Sequence, residues 1–259
     1  MKCPDMLHQL KRHPFAVRAW FRHSLVLTYA FPAEILRPLL PPGLELDTYE
    51  GLGFVAIALV QTENLHPDKM PAWLGQNFIL TGYRIFARYR NKENRVLRGL
   101  RILRSDTNRR LMVVAGNFLT HYNYKLAHVQ WRETSDRLDI KVSTLQAEAD
   151  LDFTAFLKNE PAPLPAGSPF PDHRHARLFA GPLPFTFDYE PQTHSIILIE
   201  GEREEWHPKP IEVEVREAAF FHQSAFNKTR PILANAFIVS GIPYRWKRGV
   251  RDPLSNIPK

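Results

Sequence analysis

The feature that most constrains the fold is a pair of alternating, arginine-rich segments separated by a short polar turn. Residues 83–90 and 96–104 are β-rich runs that flank the polar residues 91–94. Successive side chains of a strand point to opposite faces, so Arg84 and Arg88 share one face of the first run. The pattern predicts a long β-hairpin and therefore a fold built on a sheet.

Further β-rich runs are spread along the whole chain, whereas helical patterns are few. The additional strands are predicted at residues 24–31, 52–61, 111–115, 137–144, 194–201, 210–217 and 234–239. Short helices are predicted at residues 32–40, 117–129 and 151–158. The chain is therefore predicted to be an α+β protein that is mainly antiparallel β.

The length of 259 residues suits one large domain or two modest ones. A segment with five prolines, residues 159–171, is interpreted as a long loop rather than a domain linker. We therefore predict a single domain over residues 1–259, with peripheral tails at 1–14 and 250–259. No repeat of fixed period is present.

Composition excludes several classes of protein. Hydrophobic residues make up 44% and charged residues 24% of the chain, which is typical of a globular domain and not of a disordered one. The longest apolar run, residues 54–60, is far too short to span a bilayer. The N-terminus shows no signal-peptide pattern, and the single cysteine, Cys3, cannot form an internal disulfide. A cytoplasmic protein that is not bound to a membrane is expected.

The positive charge of the chain is concentrated in the hairpin region. The net charge is +7, and residues 84–110 alone carry a net +8. Arg84, Arg88 and, on the second strand, Arg101 could converge on a carboxylate or phosphate through bidentate hydrogen bonds. They could equally form the polar outer face of a half-exposed sheet. The third alternative is nucleic-acid binding, against which the sparse aromatic residues there and the lack of a recognition-module signature argue.

A second candidate site lies in the segment His-Tyr-Asn-Tyr-Lys-Leu-Ala at residues 121–127. Lys125 lies beside aromatic residues and could attack a carbonyl group as a Schiff-base amine. Alternatively, it is a solvated lysine on the outer face of an amphipathic helix. Tyr122 and Tyr124 would line a pocket or donate hydrogen bonds.

Metal, nucleotide and hydrolase signatures are absent from the sequence. His173 and His175 lack a third ligand, and His121 and His128 are too far apart on a helix to share an ion directly. No nucleophile elbow, phosphate-binding loop or dinucleotide fingerprint occurs. We expect no metal and no cofactor, and whether the chain forms a homo-oligomer is left open.

Residues 23–60 carry a family resemblance, through the order strand, short helix and apolar strand and through the segment LLPPGLELDTYEG. This stretch resembles the bacterial DUF2071 (YqjF-like) family, and Gly99–Asp106 is similar to that family's strand ending in Ser-Leu-Asp. The resemblance covers roughly residues 15–250. It implies a fold similar to that of acetoacetate decarboxylase, a coiled antiparallel sheet that closes as a partial barrel around a pocket.

The resemblance also implies positions for catalytic groups. An ungapped match aligns Tyr124 with the Schiff-base lysine of acetoacetate decarboxylase and Lys125 with the adjacent second lysine. A phenol cannot form an imine, and a shift of one residue would be needed to bring Lys125 to that position. Gly82 lies where the resembling families place a glutamate, and Arg84 lies near their arginine.

These observations predict a pocket that binds a small anionic or carbonyl-containing molecule. Arg84, Arg88 and Arg101 would supply positive charge, and Tyr122 and Tyr124 would supply walls or hydrogen bonds. The alternative is a decarboxylase-like or other lyase activity with Lys125 as the Schiff-base amine. The fold alone does not carry that chemistry with it.

Overall fold

A computed structural model describes residues 8–158, 160–203 and 206–254. Within these residues the chain forms strands β1 Val17–Pro32, β2 Leu44–Leu46, β3 Thr48–Tyr49, β4 Leu52–Pro67, β5 Gln76–Arg90, β6 Val96–Thr107, β7 Tyr124–Glu133, β8 Arg137–Thr144, β9 Leu151–Phe156, β10 Phe185–Glu190, β11 Ser195–Arg203, β12 Lys209–Pro210, β13 Glu212–Ala218, β14 Ile232–Trp246 and β15 Val250–Pro253. The α-helices are α1 Ala33–Leu36, α2 Arg110–Leu119 and α3 His173–Ala180. Turns of 3₁₀ helix occur at Arg37–Leu39, Ala72–Leu74, Leu145–Ala147, Pro191–Thr193 and Ala219–His222.

The longest strands form a curved sheet around a cavity. Strands β1, β4, β5 and β6 pair in antiparallel order, and β14 pairs with β1 on its other side. Strands β10 and β11 lie between β6 and β14. The contacts of β10 with β6 and of β11 with β14 comprise only three residue pairs each, so the barrel is partial. The predicted fold class, mainly antiparallel β with a few short helices, is confirmed.

The arginine-rich hairpin is formed by β5 and β6, as the alternation predicts. The two strands pair from Arg90 with Val96 to Leu80 with Thr107. The register shifts between Tyr83 and Arg84, where the facing strand carries an additional residue. Such a bulge sharpens the local twist of a strand pair and helps a sheet to curve.

A second sheet packs on the outside of the barrel wall. It contains β7, β8, β9 and β13 and joins the main sheet through a short parallel pairing of β6 with β7. Alternate residues of β4, such as Ile57 and Leu59, face this sheet and lie in a filled apolar core with Ile140 and Phe153. The intervening residues Ala56, Ala58 and Val60 line the cavity on the other face.

The prediction of a helix at residues 117–129 is wrong in position. The helix α2 lies earlier, the chain turns at 120–123, and β7 begins at Tyr124. The side chain of Asn117 explains the turn, because its amide accepts a hydrogen bond from the backbone N–H of Tyr124 at 2.8 Å and donates one to the backbone oxygen of Tyr124 at 2.9 Å. Asn123 also adopts a positive φ of 52°, which ends helical geometry.

Two further local predictions are corrected. Residues 111–115 were expected as a strand because they include two valines, but they lie in α2. The α2 residues Leu111, Met112, Ala115 and Leu119 line the cavity at helical spacing, so packing outweighs local propensity. Residues 151–158, expected as a helix, form β9, whose Leu151, Phe153 and Ala155 point into the filled core.

The segments expected as peripheral tails are packed against the fold where they are described. Val250–Pro253 forms β15, which pairs with β11. The backbone oxygen of His13 accepts a hydrogen bond from Gly249, and the Arg12 guanidinium pairs with the buried Glu190 at 2.7 Å. Cys3 and residues 255–259 lie outside the described residues. Residues 160–171 of the proline-rich segment form an irregular connection.

Candidate ligand-binding cavity

The partial barrel encloses a cavity of about 400 Å³ on the inner face of β1, β4, β5, β6 and β14. The helix α2 covers one side of it. Its lining is predominantly apolar and aromatic: Pro14, Phe15, Val17, Phe21, Val26, Ala56, Ala58, Val60, Leu65, Pro67, Leu74, Phe78, Leu80, Phe86, Leu100, Ile102, Leu111, Met112, Ala115, Leu119, Ala180, Pro182, Leu183, Trp206, Phe237 and Trp246. A cavity of this size suits a small organic molecule.

One permanent charge faces this cavity among the described residues, and it belongs to Arg84. The described lining contains no aspartate, glutamate or lysine. Its remaining polar groups are two histidines, Gln76 and a small set of hydroxyls that includes Ser24 and Ser105. The cavity therefore combines apolar walls with a single guanidinium.

Arg84 enters the cavity from the middle of β5. Its neighbours across the sheet are Ala56 on β4 and Ile102 on β6, and both line the cavity. Its side chain lies over Gly82, because a Cβ atom at position 82 would be only 2.9 Å from the Arg84 Nε and 3.1 Å from an Nη atom. The absence of a side chain at Gly82 thus makes room for the guanidinium.

Arg84 lacks an acidic partner among the residues that the structure describes. Its Nε is buried and makes no hydrogen bond there, and no carboxylate lies within ion-pair distance of it among the same residues. Burial lowers the pKa of Arg84, and only the tyrosines Tyr244, Tyr124 and Tyr122 oppose that shift. A partly desolvated guanidinium without a counter-charge favours binding of an anion from solution.

Tyr122 and Tyr124 line the same cavity, with ring centroids 6.3 Å apart. The ring of Tyr124 packs on α2 at Gly116, where a Cβ atom would be only 2.3 Å from the ring. The Tyr122 hydroxyl is buried and has no hydrogen-bond partner within the described part of the chain. Burial raises the pKa of Tyr122 well above its usual value and that of Tyr124 to about 12, so both phenols are neutral donors at pH 7.

His13 also lines the cavity, and its ring is neutral. Burial lowers the pKa of His13 to about 4, although the backbone oxygens around it favour the protonated form. Its Nδ1 is buried without a hydrogen-bond partner in the described residues. At neutral pH, His13 therefore adds no positive charge to that of Arg84.

The two other arginines predicted for the site lie outside the cavity. Arg88 lies 3.6 Å from a carboxylate oxygen of the buried Asp47. Arg98 donates to the other oxygen of Asp47 at 2.6 Å. Arg101 is hydrogen-bonded to the buried Asp188. These guanidinium groups pair with acids of the same chain, which explains much of the local excess of positive charge.

Lys125 also lies outside the cavity. It is on β7, where adjacent side chains point to opposite faces, so Lys125 points away from the cavity that Tyr124 lines. Its ammonium group donates to Glu148 Oε1 at 2.9 Å, and an Nη atom of Arg104 lies 2.8 Å from the same oxygen. Of the predicted site residues, the structure thus brings together Arg84, Tyr122 and Tyr124.

Neither a metal centre nor a spanning helix is found in the described residues. No group of three or more histidine, cysteine, aspartate or glutamate side chains there is arranged to hold a metal ion. No helix among these residues is long and apolar enough to cross a membrane.

The comparison that identifies the family covers most of the chain. The family model of DUF2071, described as an uncharacterised conserved protein, matches residues 18–243. The chain belongs to the DUF2071 family. No match to this DUF2071 protein is found among curated protein sequences.

Solved structures confirm that this DUF2071 protein has the fold of acetoacetate decarboxylase-like proteins. Acetoacetate decarboxylase from Legionella pneumophila matches with a TM-score of 0.60 at 13% identity, covering 92% of this chain and 87% of that one. An acetoacetate decarboxylase-like enzyme from Sphingomonas wittichii matches with a TM-score of 0.56 at 13% identity, covering 91% and 92% of the two chains. The enduracididine biosynthesis enzyme MppR, in complex with pyruvate, gives 0.56 at 12% identity, covering 92% and 90%.

Sequence reasoning missed several groups that shape the DUF2071 cavity. Ser24, Ser105 and His13 line it, but none stands in a recognisable motif. Asp47 lies in the segment that carries the family resemblance, and its role is to hold Arg98 and Arg88 outside the cavity.

Proposed function

We propose that this protein binds a small carboxylate-containing molecule non-covalently in the cavity of its partial barrel, with Arg84 as the anion-binding residue. The observation that carries the proposal is the cavity-facing guanidinium of Arg84, whose Nε is buried without a hydrogen bond and which has no acidic partner in the described residues. Every other charged group near it is outside the cavity lining. A bound carboxylate would supply the missing counter-charge.

The shape of the guanidinium favours a carboxylate over other anions of similar size. Arginine presents two parallel N–H groups to the two oxygens of a carboxylate, and such bidentate bonds are among the strongest in proteins. The neutral phenols of Tyr122 and Tyr124 lie in the same cavity and can donate further hydrogen bonds. A carbonyl group beside the carboxylate would find donors there.

The proposal contains no covalent step. A Schiff base requires an amine in the cavity, and the described lining supplies none. Lys125 is engaged by Glu148 on the opposite face of its strand. A protein of the same fold, MppR, has been solved with the carboxylate pyruvate bound, which is compatible with ligand binding in this architecture.

The test compares two arginines on the same strand. Thermal unfolding of the wild type, Arg84→Gln and Arg88→Gln is measured with and without a panel of short and medium-length monocarboxylates. We expect a carboxylate at 100 times its dissociation constant to stabilise the wild type by about 2.7 kcal/mol. Arg88→Gln should respond like the wild type, because Arg88 does not line the cavity.

The Arg84→Gln variant should lose the response, because glutamine keeps a polar side chain but has no charge. Equal stabilisation of the wild type and Arg84→Gln would refute the proposal. A loss in both variants would also refute it, because the response would then depend on the general charge of the hairpin. Chloride at the same ionic strength is the control for non-specific salt effects.

A further inference from the structure

We infer that the carboxylate bound by this protein carries a single charge and an unbranched apolar tail, with the tail directed from Arg84 towards the opening near Leu74. The inference rests on the proposed function, because it takes the carboxylate to lie at Arg84. It adds the class of ligand and the direction in which the ligand lies.

The position of the guanidinium defines where the head group lies. Arg84 folds back over Gly82, so the guanidinium is level with Ala58 on β4 and Ser105 on β6, the partners of Gly82 across the sheet. From this level β5 runs back through Leu80 and Phe78, both of which line the cavity. The head-group site is therefore followed by an apolar wall.

The other walls on that side are mainly apolar, with Thr62 beside Phe78 and Gln76 at the outer end as polar exceptions. Val60 pairs with Leu80, and β1 contributes Phe21. The cavity face of α2 adds Met112 and Leu119. We call the space enclosed by these five residues and Phe78 the sleeve. Burying a methylene group against such a surface is favourable, whereas a polar tail would lose its hydration without replacement.

The length of the sleeve suits a medium-length chain. Gly82 lies six residue steps along β5 from Gln76, and at roughly 3.3 Å per step these span about 20 Å. The sleeve ends at Phe15, Leu74 and Leu111, which line the cavity and are 40%, 39% and 56% exposed. Apolar contact thus continues out to the surface, so the tail is directed to this end.

The charge of the cavity limits the head group to one carboxylate. Arg84 is the permanent cation of the described lining, and His13 is neutral because burial lowers its pKa to about 4. The second histidine of the lining, His66, lies at the outer end of β4 and donates from Nδ1 to the backbone oxygen of Asn64 at 2.6 Å. A second carboxylate on the ligand would lie in the apolar sleeve without a partner.

The experiment is calorimetric titration of the intact protein with butanoate, hexanoate, octanoate and decanoate, each below its micellar concentration. Each added methylene that enters the sleeve should lower the dissociation constant about fourfold, which corresponds to about 0.8 kcal/mol. The alcohols of the same length and hexanedioate serve as head-group and second-charge controls. Both should bind at least tenfold more weakly than the matching monocarboxylate.

Two matched variants test the direction of the tail. Leu80→Trp fills the sleeve, and Leu100→Trp fills the cavity on the other side of Arg84, where Leu100 faces Phe86 across the hairpin. We expect Leu80→Trp to weaken octanoate binding at least tenfold while butanoate binding changes less than threefold. Leu100→Trp should change octanoate and butanoate binding by the same factor, because the tail does not reach position 100. Circular dichroism of each variant checks that it is folded.

The outcomes separate this inference from the proposed function. Binding that depends on Arg84 but is independent of chain length, or prefers hexanedioate, would overturn the inference and leave the proposed function standing. A tenfold loss of octanoate binding in Leu100→Trp with none in Leu80→Trp would overturn the direction of the tail. Binding that increases with chain length equally in the wild type and Arg84→Gln would overturn both, because the head group would then lie elsewhere.

Discussion

Two arginines of the same hairpin, Arg84 on β5 and Arg104 on β6, have opposite surroundings. Arg104 is 4% exposed, and its guanidinium pairs with Asp106 at 2.8–2.9 Å and with Glu148 at 2.8 Å. Burial alone would lower the pKa of Arg104, but these two acids raise it. Arg84 faces the cavity and has no acidic partner among the described residues, and burial lowers its pKa.

The difference separates a structural arginine from a candidate binding residue. The desolvation of Arg104 is offset inside the chain, so a ligand could add little to it. The desolvation of Arg84 is not offset inside the chain. The stability of the folded protein should therefore increase when an anion binds at Arg84. The predictions that follow test whether the two arginines differ in this way.

The largest effect is expected from removing the internal partner of Arg104. Asp106→Ala leaves a buried guanidinium with only the partly exposed Glu148, and breaking such a pair costs about 3–5 kcal/mol of unfolding free energy. Urea denaturation measures it. The control is Glu93→Ala, which removes an exposed partner of Arg95 and should cost less than about 0.5 kcal/mol. Equal effects of the two substitutions would mean that Asp106 has no special role.

A second prediction concerns the pH dependence of the cavity. The pKa of His13 is lowered by burial to about 4, so the unfolded chain binds a proton between about pH 6.5 and 4 that the folded chain does not. Protonation of the unfolded chain therefore lowers the free energy of unfolding as the pH falls from 6.5 to 4, by up to about 3 kcal/mol. Above pH 6.5, His13 is neutral in both states and the full stability is present. The measurement is urea denaturation at several pH values. His13→Gln should show a smaller loss over that range, and identical slopes in both proteins would contradict the prediction.

A third prediction reverses the usual sign of a core substitution. Arg84→Met removes a desolvated charge that lacks an acidic partner and leaves an apolar side chain of similar length. We expect it to raise the unfolding free energy by about 1–2 kcal/mol in the absence of ligand. Thermal and urea denaturation measure the change. Arg104→Met is the matched variant and should destabilise the protein, because it leaves Asp106 buried without its partner. A loss of stability in Arg84→Met would indicate that Arg84 already has a structural partner.

The smallest effect is expected at Lys125. Its side chain is 40% exposed and its ammonium group pairs with a partly exposed acid, so Lys125→Ala should cost less than about 1 kcal/mol. Carboxylate binding should be unchanged, because the side chain points away from the cavity. Borohydride treatment with β-keto acids, read by intact mass, should give no adduct that depends on Lys125. An adduct lost in the variant would show that the amine reaches the cavity.

Much of the fold was accessible from the sequence, because alternation and turn residues are local signals. The hairpin of β5 and β6 and the strand β8 were predicted from such patterns, and both are confirmed. The errors at α2 and β7 arose because residues 117–129 place the apolar residues Phe118, Tyr122, Leu126 and Val129 at helical intervals. The turn there is set by the side chain of Asn117 bonding to Tyr124, which periodicity does not reveal.

The site could be predicted only in part. Alternation placed Arg84 and Arg88 on one face, yet only Arg84 lines the cavity, because Asp47 holds the other from a distant segment. Asp188 holds Arg101 in the same way. Such pairings depend on contacts between residues far apart in sequence. The role of Gly82 was also hidden, because what matters is the space that its missing side chain leaves for Arg84.

The most direct test of the central claim is a crystal structure of the protein with hexanoate bound. The account predicts both carboxylate oxygens at about 2.7–2.9 Å from nitrogen atoms of the Arg84 guanidinium, with the chain extending past Leu80 towards Leu74. A carboxylate bound at the Lys125–Glu148 pair or at the Arg88–Asp47 pair, with Arg84 left without an anion, would contradict it.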